Sequence, residues 1–130
     1  GRSDPSVEVT GAVEDIRPYL ASACALVVPL RIGGGTRIKI FEAMAMGIPV
    51  VSTSIGAEGL PVRDGKNILL ADTAEIFAEN SVRLLADRKY AKVISEDALE
   101  HVRTNFSWDA VGRVFESRCM ELLNKLGVSK

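Results

Sequence analysis

Apolar positions along the chain switch repeatedly between a strand-like and a helix-like period. Val7-Glu-Val-Thr10 alternates and predicts a short strand. Ala25-Leu-Val-Val-Pro-Leu30 is a continuous apolar run of the kind found in buried parallel strands. Ile48-Pro-Val-Val-Ser52 and Asn67-Ile-Leu-Leu-Ala71 predict two more strands, the first with its proline at the start, where a missing N–H does least harm. Helical patterns lie between and after these runs. One opens near Asp15 and reaches about Ala23, with Pro18 in its first turn. A second spans Thr36–Met46, with Thr36 as N-cap and Gly47 as the stop. Three more are expected over Thr73–Ala86, Lys89–Thr104 and Ser107–Leu126, the last with Ser107 as N-cap and Asp109 in its first turn. Phe106, Trp108 and Phe115 fall at helical or pre-helical spacing and are expected to pack in the core. Gly56 to Gly65 is a loop ending in an Asp64-Gly65 turn. The alternation implies an α/β fold, a parallel sheet with helices on both faces, whose ligands bind beyond the carboxyl ends of the strands.

Composition narrows the function. The 130 residues amount to one domain or a piece of a larger one, and 47% hydrophobic residues are ample for a core. A formal net charge of −1 with no Lys/Arg run argues against nucleic acid as a partner. No apolar run is long enough to span a bilayer, and the first residues carry no signal-peptide pattern. Cys24 and Cys119 fit no metal or redox spacing and read as free or buried thiols of a cytosolic protein. The single His101, in a pattern that looks like an exposed helix, cannot form a histidine-based metal cluster.

Chemistry concentrates between Arg31 and Thr53. Gly33, Gly34 and Gly35 link a buried strand to a helix, a position where backbone N–H groups can approach an anion in front of the helix N-terminus. Three glycines in a row cost more backbone entropy than a turn alone requires, which favours a phosphate-facing loop. Glu42 stands in an apolar run, Phe41-Glu-Ala-Met-Ala-Met46, where a carboxylate is costly unless something polar meets it. A carboxylate can accept hydrogen bonds from two neighbouring sugar hydroxyls. The plainer alternative pairs it with Lys39 at i,i+3. Lys39 shares a face with Thr36 and Glu42 and is favoured for a diphosphate, while Arg37 points elsewhere on the helix and is the weaker candidate. Glu58, in Gly56-Ala-Glu-Gly-Leu60, either lines the same cleft or caps a following turn. A phosphate cradle followed by a hydroxyl-seeking carboxylate suits a nucleotide joined to a sugar.

These runs carry a family resemblance. Val9-Thr-Gly-Ala-Val-Glu-Asp15, Ala25–Leu30, Gly33–Thr53 with its Glu-Ala-Met-Ala-x-Gly-x-Pro-Val-Val core, and Gly56–Leu60 resemble the C-terminal half of a GT-B fold retaining glycosyltransferase of the "glycosyl transferases group 1" family. The likeness covers nearly the whole chain. It implies a Rossmann-like domain that binds a nucleotide-sugar donor without a metal or other cofactor. By resemblance Glu42 bonds the ribose hydroxyls, backbone amides from Gly35 through Thr36 and Arg37 to Ile38 hold the diphosphate, and the Gly11-Ala12-Val13 segment lies near the nucleobase. The family often has Glu-x7-Glu, whose first glutamate touches the donor sugar. Here that position is Gly34, so backbone amides would take its place.

The same resemblance implies that residues 1–130 are a partial, truncated donor-binding domain. The family's sheet runs 3-2-1-4-5-6, with Val7–Thr10 as strand 3 and the runs at 25–30, 48–52 and 67–71 as strands 4, 5 and 6. Strands 1 and 2, a basic pair for the pyrophosphate and the N-terminal acceptor domain would lie outside. Strand 25–30 would then have a bare edge, expected to close against Val7–Thr10 or to pair with a second copy in a homodimer. The expected activity is that of a parent enzyme, cytoplasmic or membrane-associated through its missing half, which passes a sugar from the donor to an unknown acceptor. The fragment alone should be inactive. The alternatives are a nucleotide-sugar epimerase on the same architecture and a degenerate, non-catalytic binding domain.

Overall fold

The computed structural model describes residues 4–33, 35 and 37–127. The elements, in chain order, are α1 (Arg17–Ser22), β1 (Leu26–Val28), α2 (Ile38–Ala45), β2 (Val50–Ser52), β3 (Leu69–Leu70), α3 (Ala74–Ala86), α4 (Arg88–Phe106) and α5 (Trp108–Lys125). The strands form one parallel sheet in the order β1-β2-β3, with Leu26 opposite Val50 and Val51 opposite Leu69.

β2 is wholly buried, as expected of a central parallel strand. Its alternating side chains feed two cores. Val50 packs with Ile40, Ala43, Met44, Ile48 and Ala98 on one face of the sheet. Val51 packs with Leu69, Leu84 and Ile94 on the other. α4 therefore serves both faces, through Ala98 and Ile94, and the expected parallel sheet with helices on both faces is observed.

Local chemistry sets the boundaries. Gly47, at φ +70°, ends α2 in a Schellman motif, with Ile48 N–H bonded to Ala43 O at 2.9 Å and Gly47 N–H to Met44 O at 3.0 Å. Thr73 caps α3 by accepting from Ile76 N–H. Asp87 caps α4 by accepting from Lys89 and Tyr90 N–H, and Ser107 caps α5 by accepting from Ala110 N–H. Asp15 accepts from the Arg17 amide, and α1 starts with Pro18 in its first turn.

Two expectations fail. Val7–Thr10 is not a strand, and it does not close on β1, whose outer edge has no partner strand among the described residues. Val9 is 89% exposed, and the preceding segment folds back on itself, with Ser6 N–H and Oγ–H donating to Asp4. An alternating run of four residues gains nothing as a strand without a neighbour to bond. The core role expected of the aromatics near 106–115 is also wrong for two of the three. Trp108 is 91% and Phe115 71% exposed, because α5 buries only Ala110. Phe106 is partly exposed but stacks on Phe41 with ring centroids 4.6 Å apart.

Candidate functional site

β1 and β2 run parallel, so the loops that follow them emerge at one end of the sheet: the glycine loop after β1 and the 53–60 loop after β2. Gly34 and Thr36 lie outside the described residues, and with them the expected phosphate contact of Gly34 and the N-cap role of Thr36. Of the other two glycines, Gly35 stands at φ +103°, a left-handed conformation that disfavours any side chain. Gly33 is not in that region, and a Cβ there would meet only Leu30 Cδ1 at 3.9 Å. The N-cap of α2 is Arg37, whose side chain makes no capping bond to the first-turn amides.

α2 buries Ile40, Ala43 and Met44 and turns Ile38, Lys39 and Glu42 to the surface. Glu42 is therefore exposed. Its apolar neighbours in sequence point elsewhere around the helix, and burial does not explain its presence. Its carboxylate has no hydrogen bond or ion pair among the described residues, and the i,i+3 pair with Lys39 is not formed. The negative field of Glu42 reaches Arg17 at the start of α1. The Arg17 guanidinium is held above its usual value chiefly by its hydrogen bonds to Asp15, with a smaller contribution from Glu42.

Arg37 behaves differently from Lys39. It is 8% exposed, and one nitrogen, Nη2, donates to Gly33 O at 3.2 Å and to Ile55 O at 2.8 Å. Glu58, 74% exposed, brings Oε2 within 3.8 Å of the same nitrogen. Thr53 and Asp72 are residues that sequence reasoning missed here. The Thr53 hydroxyl donates to Leu30 O and accepts from Gly56 N–H, which ties the two loops a second time. Asp72, just past β3, accepts from Ser54 N–H at 2.7 Å and from the Ser54 hydroxyl at 2.6 Å. Those two bonds, the hydroxyl's first, hold its carboxyl below the ordinary value. The Ser52-Thr53-Ser54 run at the end of a buried strand is the signal that could have pointed to this polar seam.

A hollow of about 430 Å³ opens among Leu30, Arg31, Thr53, Ser54, Ile55 and Asp72, at the carboxyl ends of the strands. A larger one of about 560 Å³ lies elsewhere, between the 61–67 segment that leads into β3 and the second half of α4. It mixes Arg63 and Lys66 with Asp97 and Glu100, and no residue of the glycine loop lines it. His101, on its wall, is half-buried rather than exposed and contacts Asn105.

A sequence model described as "Glycosyl transferases group 1" matches residues 2–87, which include the glycine loop, α2 and all three strands. The chain belongs to this family. Among curated relatives, a D-inositol 3-phosphate glycosyltransferase of Corynebacterium efficiens is 36% identical over 78 residues, 58% of this chain and 18% of that protein. An uncharacterised glycosyltransferase of Methanocaldococcus jannaschii is 29% identical over 118 residues, 85% of this chain and 33% of that protein. A lipopolysaccharide core biosynthesis mannosyltransferase of Rhizobium leguminosarum bv. viciae is 30% identical over 113 residues, 82% of this chain and 32% of that protein. The chain thus spans between about a fifth and a third of the length of these relatives. The epimerase alternative has no support among these relatives. No helix among the described residues is long and apolar enough to cross a membrane.

Proposed function

We propose that this glycosyltransferase domain binds the nucleoside diphosphate part of a nucleotide-sugar donor, and that the full protein carrying it transfers the sugar with retention to an acceptor bound by residues outside this chain. The observation that supports the reading best is the outer face of α2. It presents an exposed carboxylate, Glu42, with no partner among the described residues, and an exposed ammonium, Lys39, behind a glycine loop whose Gly35 is left-handed. In this reading Glu42 accepts from the two ribose hydroxyls. The amides of Gly35, Thr36, Arg37 and Ile38, together with Lys39, face the diphosphate, and Gly33 and Gly34 let the loop approach it. As the sugar leaves, negative charge grows on the diphosphate, and fixed amide dipoles plus a nearby cation stabilise it without reorganising. The donor is a substrate, and the reaction as proposed uses no metal. A cytoplasmic location is part of the proposal, with any membrane attachment supplied by residues outside this chain. The open outer edge of β1 is proposed to pair with a second copy when the domain stands alone.

Calorimetric titration with UDP, GDP and ADP tests the donor site, using the longest natural chain that carries these residues. One nucleotide should bind, and Glu42→Ala should weaken it about 10-fold or more, equivalent to roughly 1.4 kcal/mol. Binding of none of the three would replace this reading with the degenerate, non-catalytic domain.

A further inference from the structure

We infer that Arg37 is a positioning residue, a buried strut that fixes the glycine loop against the 53–58 loop so that the first-turn amides of α2 are aimed at the donor diphosphate. The inference rests on the donor-site reading above. Its basis is that one nitrogen bridges carbonyls of two different loops, Gly33 and Ile55, from a side chain that is 8% exposed. The Nε–H is buried with no partner among the described residues, so the hold rests on Nη2.

Burying a guanidinium is unfavourable unless its donors are met, and the nearest carboxylate, Glu58, is 3.8 Å away and itself exposed. A surface arginine reaching for a ligand would avoid that penalty. The location explains why the burial is worthwhile. Glycine carries no side chain to fix its backbone, and among the described residues a Cβ at Gly33 would make only ordinary contact, with Leu30. Amides that stabilise a developing anion must be held in position before the reaction. Thr53 already ties the other loop to Leu30, at the end of β1. Arg37 extends the tie three residues further, into the glycine loop itself. Lys39, two residues on, remains on the surface and free to meet the anion directly.

A strut and a direct phosphate ligand differ in the nucleotide-free protein. Amide hydrogen exchange should be measured in the longest natural chain carrying these residues, first without nucleotide, then alongside titration with UDP, GDP and ADP. Arg37→Met should raise exchange about 10-fold or more at the amides of 33–37 and of 55–58, and weaken nucleotide binding by a similar factor. Arg37→Lys, which keeps one nitrogen with hydrogens for both carbonyls, should fall between Met and wild type on both measures. Glu42→Gln should weaken binding and leave nucleotide-free exchange unchanged. If Arg37→Met fails to fold, the Lys variant carries the same comparison. Unchanged exchange at either loop overturns the proposal, and a loss of affinity with unchanged exchange makes Arg37 a direct ligand instead. If wild type binds none of the three nucleotides, the donor-site reading falls and the proposal with it, whereas Glu42-dependent binding that is indifferent to Arg37 overturns the strut alone.

Discussion

At the scale of single residues, the glycosyltransferase signature divides into positions held by backbone geometry and positions held by chemistry. Gly56 belongs to the first group for a steric reason. A Cβ there would lie 2.4 Å from Ser52 Oγ, 3.0 Å from Val28 O and 3.1 Å from Thr53 Oγ1. The serine can rotate, but Val28 O belongs to the sheet. Gly56→Ala should therefore destabilise the domain by about 1–3 kcal/mol, the usual cost of overpacking, while Gly33→Ala should be nearly neutral. Thermal melting of the two variants checks the contrast, and equal melting points would show that the loop moves aside. Glu42 belongs to the second group. The sequence marks it as unusual, but for a reason the structure does not share. A carboxylate in an apolar run looks buried, yet the helical period turns Glu42 outward while Ile40, Ala43 and Met44 fill the core. Arg37 is the converse. On a bare helical wheel it faces away from Lys39, but nothing in the spacing shows that it bridges two carbonyls, because backbone acceptors 4 and 18 residues away leave no mark on residue type.

At the scale of elements, what was legible followed local chemistry. α3, α4 and α5 lie within a residue or two of where their patterns and caps predict them, and the glycine stop of α2 is realised as a Schellman motif. Val7–Thr10 was misread because a strand is a property of a pair, and its own alternation says nothing about a neighbour. The tie between the ends of β2 and β3 was equally invisible, since Ser54 and Asp72 are 18 residues apart. It has a pH signature. In the folded protein the Asp72 carboxyl is held below its ordinary value of 3.8, so the stabilisation is complete above that value and is lost as the pH falls through the lowered one. Asp72→Asn should lower the melting temperature at pH 7, and the gap from wild type should close progressively below about pH 4, the unperturbed carboxylate range. Melting curves at a series of pH values decide this, and a gap that does not change with pH would assign the effect to something other than the charge.

At the scale of the molecule, two surfaces fit poorly with an isolated domain. β1 has no partner on its outer edge among the described residues, with Val27 about half exposed there. α5 exposes Trp108, Val114, Phe115 and Leu122, and Leu126 just past it, yet only Ala110 of that helix is buried. Relatives about three times as long have further chain with which to cover such surfaces, whereas these 130 residues in isolation have only each other. An unpaired parallel edge offers a row of backbone donors and acceptors, and large apolar side chains left exposed along one helix gain from burial against a partner. A chain of these residues should therefore self-associate at about 50–100 μM in sedimentation equilibrium, a concentration at which weak interfaces in the micromolar range are populated. If the β1 edge is the interface, Val27→Lys should shift the population to monomer, because a charge on an edge strand opposes pairing there. Phe115→Glu should then leave the association in place. The opposite pattern would move the interface to α5, and a wild-type monomer at the highest concentration would show that neither surface drives assembly.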